Sequence, residues 1–600
     1  MIEDATEDQA YTALLARVDQ SDFTGALRAV FVDDAVRRPL HYAAAAADLW
    51  VQQLNVGLRT MRRMLGSSSD ETLVRGDARF ADRAWQLNPL FRAAAESYLE
   101  TVRWVDGLIE TAHVSPVQRN KARFATGMML DAASPSNIPW VNPAVWKEAF
   151  DTGGQSLVAG AGNFVDDLMH NGGRPRQVDK APFTVGKNLA ATPCRVVMRN
   201  ELIELLMYEP QTERVHAQPI VCSPPWINKY YIMDLAPGRS FIEYAVQHGF
   251  TVFCISYRNP DESMRAVSWD DYLRLGLMAA LDEASAITGS PVVNIVGLCL
   301  GGTMSTIGLA HLAAKGESER VGWMTVTNTL VDFSVPGNLG VFADRASVAR
   351  LEKNIRKRGF LEASSMAQTF DWLRGNDLVW SYVVNNWYMG KTPPPFDLLA
   401  WNGDSTNMPA AMHTQYLRAC YVDNLLIRPG EFHIGGTAID LRKIKQPLYV
   451  LGAENDHIAP WKGSFLLSRH VGGEVRYTLT TSGHVAGIVN PPGNAKAGYW
   501  TQPRVARGVD AGTWRDTSNR VQGSWWDDWV EWAAPKSGAM VAPPKMPRGE
   551  PGPGKYVVGE EGKPFRSGAP AGAPHATRAT AHANGSNGAR PAARARKSRG

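Results

Sequence analysis

Residues 291–314 read PVVNIVGLCLGGTMSTIGLAHLAA. A short β-branched apolar run passes into an apolar run of helical spacing through Gly297-Leu298-Cys299-Leu300-Gly301-Gly302. That junction has the layout of a G-x-S-x-G nucleophile elbow with cysteine in place of serine. Glycines at 297, 301 and 302 permit a tight turn and close strand–helix packing. They leave Cys299 at the C-terminal edge of a sheet and at the start of a helix, whose partial positive charge favours an anion. Alone, the pattern is weak, because a cysteine packed in a glycine-rich turn reads the same way. It needs partners.

On either side of this stretch, short β-branched runs recur: CRVVMRN, IELLMYEP, AQPIVCSPP, FTVFCISYRNP, VGWMTVTNT and QPLYVLGAEND. Helical segments such as SFIEYAVQHG and WDDYLRLGLMAALDEASAITG lie between several of them. Strands alternating with helices predict a mostly parallel sheet covered on both faces. Between about 333 and 440 the alternation stops in a segment rich in Trp, Tyr and Asn, which predicts a cap inserted over the active face. Upstream, TALLARVDQ, PLHYAAAAADLWVQQLNVGLRTMRRML and NPLFRAAAESYLETVRWVDGLIETA carry apolar residues three and four apart, the mark of helices. The reading is therefore a mainly helical N-terminal domain over 1–185, an α/β domain over 186–537 with its cap, and an extension over 538–600. From about 562 that extension is an Ala/Gly/Pro/Arg-rich sequence expected to be disordered.

Bulk properties exclude several classes. No window holds 18 uninterrupted apolar residues, so no transmembrane helix is expected. The acidic start MIEDATEDQAYTALL lacks signal-peptide features, which predicts a cytoplasmic protein. The five cysteines lie far apart without a CxxC pair, which argues against a zinc site or a disulfide framework. From Lys563 onward there are eight Lys and Arg and no acid. The rest of the chain carries 55 basic and 59 acidic residues, a net of −4, so no nucleic-acid-binding body is expected.

Partners for Cys299 are found downstream. In α/β-hydrolases the order is nucleophile, acid, base. QPLYVLGAENDHIAPW is a strand running into Asp456, and VRYTLTTSGHVAGIVNPP is a strand leading to His484. Both groups then fall at the sheet edge that carries Cys299. His484 would deprotonate the thiol and Asp456 would hold the imidazole in the correct tautomer. His457 and Glu454 are rivals, with His457 better placed as support because it adjoins Asp456. One oxyanion donor is expected at the amide of Leu300, and a second at Trp226 or Ile227, since Pro224 and Pro225 have no N–H. A cysteine nucleophile exchanges one thioester for another at little cost, which favours acyl transfer to a hydroxyl over plain hydrolysis.

Over roughly residues 75 to 560 the chain resembles the polyhydroxyalkanoate synthases. The resemblance is carried by GLCLGGT, DRAWQLNPLF, DAASPSNIPWVNP, TPCRVVMRNELIELLMYEPQT, PPWINKYYIMDL, SYRNPD, GNLGVF, NDLVWSYVVNNWYMG, WNGDSTNMP, NDHIAPW, SGHVAGIVNPP and GSWWDDWVEW. Cys299, Asp456 and His484 match that family's nucleophile, acid and base. The resemblance implies (R)-3-hydroxyacyl-CoA substrates, short acyl chains above all, with release of CoA and growth of a polyester chain through an acyl-cysteine. It implies a homodimer on polyester granules, with no metal or redox cofactor. Aromatic residues around Trp372, Trp380, Trp387 and Trp401 would exclude water from the site. Tyr257 in SYRNPD, where Trp is more usual, and the basic tail depart from the pattern. Two other functions remain open from the sequence: a Cys-dependent hydrolase or thioesterase of this fold, and a granule-coating protein without activity.

Overall fold

The computed structural model describes residues 20–66, 74 and 76–559. The basic tail and the stretch before Gln20 that the sequence predicts to be helical lie outside the described residues. Eleven strands form one sheet. In chain order they are β1 (Cys194–Arg199), β2 (Ile203–Tyr208), β3 (Ile220–Ser223), β4 (Val252–Tyr257), β5 (Val293–Leu298) and β6 (Val321–Thr327). They continue as β7 (Leu448–Ala453), β8 (Val475–Thr480), β9 (Gly498–Thr501), β10 (Asn519–Gln522) and β11 (Glu550–Pro551). Their spatial order is β10-β9-β8-β7-β6-β5-β3-β4-β2-β1-β11. The six strands from β4 to β8 in that order are parallel, and those flanking them are antiparallel.

The parallel strands are continuous apolar runs because both faces are covered. Every residue of β4, β5 and β7 is buried. Alternate residues feed two cores: Phe253 and Ile255 face one, Val252 and Cys254 the other. Of the helices, α1 (Pro39–Met64), α2 (Pro89–Thr111), α3 (Pro116–Ala132) and α4 (Gln155–His170) precede the sheet. Helix α5 (Leu300–Lys315) follows the elbow, and its residues from Leu300 to Leu312 are all buried, as a helix of small and apolar residues on every face with no charge before Lys315 can be. The cap between β6 and β7 contains α6 (Arg345–Arg358), α7 (Ala363–Leu373) and α8 (Ala410–Tyr416). Last comes α9 (Trp525–Ala533), with four buried tryptophans, of which Trp525, Trp526 and Trp529 pack around Phe241.

Helices α2 and α3 start at prolines behind capping residues. Asn88 Oδ1 accepts from the Leu90 amide at 2.9 Å, and Ser115 forms a capping box with Gln118. These helices do not stand apart from the rest, and the described residues make one compact unit. Helix α4 lies on the cap: Trp387 Nε1 donates to Asp167 Oδ2 at 2.9 Å, and the rings of Phe164 and Trp387 meet edge to face at 5.0 Å. A Cβ on Gly160 would stand 2.1 Å from the Trp387 carbonyl, so only glycine allows that approach. Further along, Lys121 pairs with Asp344 at 2.6 Å and Arg174 with Asp371. At the other end, β11 pairs with β1, and buried Glu204 accepts from the amides of Lys555 and Tyr556. The first part of the extension is thereby fastened to the sheet.

Candidate active site

Cys299 is a half-buried residue at the turn from β5 into α5, and the other four cysteines are buried. Its φ of 51° and ψ of −116° are unusual for a side-chain-bearing residue, the strained backbone that pushes an elbow nucleophile out of the sheet edge. Glycine is obligatory around it on steric grounds. A Cβ on Gly301 would lie 1.9 Å from the Ser223 carbonyl oxygen, and one on Gly302 would lie 2.0 Å from Thr329 Oγ1. A Cβ on Gly297 would meet the Gly302 Cα at 2.6 Å. The Cys299 amide donates to the Thr327 carbonyl at 2.9 Å, and Thr329 Oγ1 donates to the Cys299 carbonyl at 3.1 Å.

Asp456 and His484 leave the ends of β7 and β8, which are parallel neighbours with Ala453 opposite Thr480. The buried Asp456 places Oδ2 at 2.6 Å from His484 Nδ1. Its Oδ1 accepts from the amides of Ile458 and Ala459, both at 2.8 Å, which fixes the carboxylate. The Cys299 sulfur lies near enough to the His484 ring to act on it electrostatically. Burial works against a charged imidazole at His484. The Asp456 carboxylate and the Cys299 sulfur outweigh it, and the proton affinity of His484 rises well above its ordinary value. The structure therefore brings together the three residues singled out in the sequence.

The rivals sit in other settings. Glu454 Oε1 is held by Arg515 at 2.7 Å. Burial pushes His457 down to about 4, so it is a neutral imidazole beside the triad. Leu300 opens α5 directly after the nucleophile, and the Ser223 and Pro224 carbonyls that crowd Gly301 belong to the loop that reaches Trp226 and Ile227. The cap tryptophans are partly committed to packing: Trp387 to Asp167, and Trp401 through its indole N–H to the Lys229 carbonyl at 2.8 Å. Among the described residues no group of three or more His, Cys, Asp or Glu is arranged to hold a metal ion, and no helix is long and apolar enough to cross a membrane.

Several neighbours were not singled out from the sequence. Asn328, in left-handed backbone at φ 47°, donates from Nδ2 to the His484 carbonyl at 2.6 Å. Asn328 and Thr329 directly follow β6, at the same sheet edge as the triad, and that position was a usable signal. Tyr416 and Tyr421 come from the cap and lie within electrostatic range of the Cys299 sulfur. Their rings meet edge to face at 5.6 Å, and Phe333 joins them 4.8 Å from Tyr421. No periodicity marks these two tyrosines, because the folding of the cap alone brings them to the sheet edge.

A cap between β6 and β7 and three polar groups after β5, β7 and β8 at one edge of the sheet define an α/β-hydrolase-fold protein, and residues 233–491 match the family model described as alpha/beta hydrolase fold. Residues 76–245 match a second model, the N-terminus of poly-beta-hydroxybutyrate polymerase. A poly(3-hydroxyalkanoate) polymerase subunit of Rhizobium meliloti is 40% identical over 82% of this chain and 80% of its own. Its counterpart in Cupriavidus necator is 40% identical over 80% and 83%. The poly(3-hydroxyalkanoate) polymerase of Methylorubrum extorquens is 42% identical over 83% and 84%. The chain belongs to the poly(3-hydroxyalkanoate) polymerase family and is an acyltransferase.

Proposed function

We infer that the protein polymerises (R)-3-hydroxyacyl-CoA, with 3-hydroxybutyryl-CoA and other short-chain substrates foremost, through a covalent acyl-cysteine. His484, bonded through Nδ1 to Asp456 and close enough to the Cys299 sulfur to feel its charge, is the observation that carries this reading. His484 Nε2 takes the thiol proton, and the thiolate adds to the substrate's thioester carbonyl. The amides of Leu300 and Ile227 receive the oxyanion. Collapse breaks the bond to CoA sulfur, and CoA leaves as the thiol with the proton held by His484. The 3-hydroxyl of the next acyl group then gives its proton to His484 and attacks the Cys299 thioester. An ester bond forms, and Cys299 recovers the proton.

The first transfer conserves the thioester, and the second is downhill because an oxyester replaces a thioester. Tyr416 and Tyr421, buried in the cap near the sulfur and packed with Phe333, would help to keep bulk water from the intermediate. Homodimer formation and association with polyester granules rest on the family resemblance, as does the absence of any cofactor requirement. The test is CoA release with C4, C5 and C8 3-hydroxyacyl-CoAs, with polymer recovered from the same reactions. The reading expects insoluble polyester to match the CoA released, most readily from C4. Stoichiometric free 3-hydroxy acid with no polymer would identify a thioesterase instead.

A further inference from the structure

We propose that Thr406, a cap residue, is the positioning residue of the oxyanion hole: its hydroxyl holds the Trp226 carbonyl and so turns the Ile227 N–H out of the cap. This inference rests on the acyl-cysteine reading above. Thr406 and Trp226 are both 2% exposed. Thr406 Oγ1 donates to the Trp226 carbonyl at 2.5 Å, and the Thr406 amide donates to the Ile227 carbonyl at 2.9 Å. Asn228 and Ser405 form a single antiparallel bridge between these contacts.

The orientation follows from the peptide plane. The Trp226–Ile227 peptide is trans, so its C=O and N–H point in opposite directions. With the carbonyl committed to Thr406, the Ile227 N–H faces away from the cap. The Ser223 and Pro224 carbonyls at the foot of the same loop touch the first turn of α5, where Leu300 supplies the other donor. A donor aimed at a developing oxyanion is effective only if its direction is fixed before the reaction, and a side chain on another element can fix it.

Other bonds hold the loop in place independently. Trp401 Nε1 donates to the Lys229 carbonyl at 2.8 Å, and Tyr231 donates from its hydroxyl to Asp404 Oδ2 at 2.8 Å. Removing the Thr406 hydroxyl alone therefore frees one peptide plane and leaves the segment tethered. The sequence WNGDSTNMP gives no hint of this, because Thr406 lies about a hundred residues beyond the elbow and meets the loop only across the cap.

The test uses the full-length protein with Thr406→Val, which keeps the shape and removes the donor, and Thr406→Ser, which keeps the donor. CoA release from 3-hydroxybutyryl-CoA is expected to lose about 10–100-fold in kcat in Thr406→Val with KM within about threefold, less than the loss of a whole oxyanion donor. Thr406→Ser should return to within about threefold of wild type. A second probe is 3-hydroxybutyraldehyde, to which the Cys299 sulfur adds while the thiol proton passes to the carbonyl oxygen, giving a hemithioacetal whose oxygen occupies the hole. Its inhibition constant should rise in Thr406→Val by about the factor lost from kcat/KM. Wild-type kcat in Thr406→Val, a Ser variant no better than Val, or unchanged aldehyde inhibition would overturn the proposal. Cys299→Ala, assayed in parallel, separates the two readings. Turnover by that variant defeats the acyl-cysteine reading itself. An inactive Cys299→Ala beside a fully active Thr406→Val defeats only the role of Thr406.

Discussion

His484 Nδ1 lies 2.6 Å from Asp456 Oδ2 although 28 residues separate them in the chain. The closeness is a product of register: β7 and β8 run parallel with Ala453 opposite Thr480, so the loops that leave them emerge side by side. A polar pair that is distant in sequence thus becomes a fixed unit at the edge where Cys299 turns out.

Asp456→Asn keeps the shape of the pair and removes the charge that favours an imidazolium. His484 should then give up its proton at lower pH than in the wild type, where its proton affinity is well above the ordinary value. The alkaline limb of the pH profile of CoA release, where His484 no longer has a proton for the leaving thiol, is expected to move to lower pH. kcat/KM should fall by about 10²–10⁴-fold. An unmoved limb would mean that Asp456 does not govern His484.

Gly301→Ala tests the elbow. The added methyl would stand 1.9 Å from the Ser223 carbonyl oxygen and 2.6 Å from that of Pro224, and neither backbone atom can swing aside as a flexible side chain would. Urea unfolding should report a loss of about 1–3 kcal/mol, the usual cost of overpacking, together with lost activity. Unchanged stability would contradict the packing described.

The seam between α4 and the cap can be opened at Gly160, where a Cβ would meet the Trp387 carbonyl at 2.1 Å. Gly160→Val is expected to speed amide hydrogen exchange over residues 383–390 and to expose the 171–193 segment to limited proteolysis. Exchange in β5 and β7 should be unaffected. A uniform rise across the sheet would indicate global unfolding rather than a separable seam.

Lys229 is buried and donates from Nζ to the carbonyls of Tyr556 and Val557 at 3.3 and 3.2 Å. Lys229→Met keeps the aliphatic bulk and removes the donors. It should cost about 1.5–3 kcal/mol and accelerate exchange in residues 555–558 first. Equal protection there in variant and wild type would show that Lys229 does not hold the C-terminal segment.

The parts of this fold that could be read from sequence are those whose signal is local. β5 and α5 announce themselves by an apolar run that changes period at glycines, and Asp456 and His484 each close a buried parallel strand. β9, β10 and β11 are short and exist through pairing with neighbours far along the chain, so no periodicity marked them. Trp387 and Trp401 were recognisable as aromatic cap residues, but their partners Asp167 and the Lys229 carbonyl come from other parts of the chain. Tyr416, Tyr421 and Thr406 were invisible for the same reason: what places them at the site is the docking of the cap, a tertiary event.

The most direct test of the account is the fate of Cys299 during turnover. Wild-type protein mixed with 3-hydroxybutyryl-CoA, quenched in acid and digested, should yield the peptide containing Cys299 carrying the mass of one or more 3-hydroxybutyryl units. Hydroxylamine should remove that mass, and Cys299→Ala should release no CoA. Turnover without any acyl group on Cys299, or CoA release by Cys299→Ala at the wild-type rate, would contradict it.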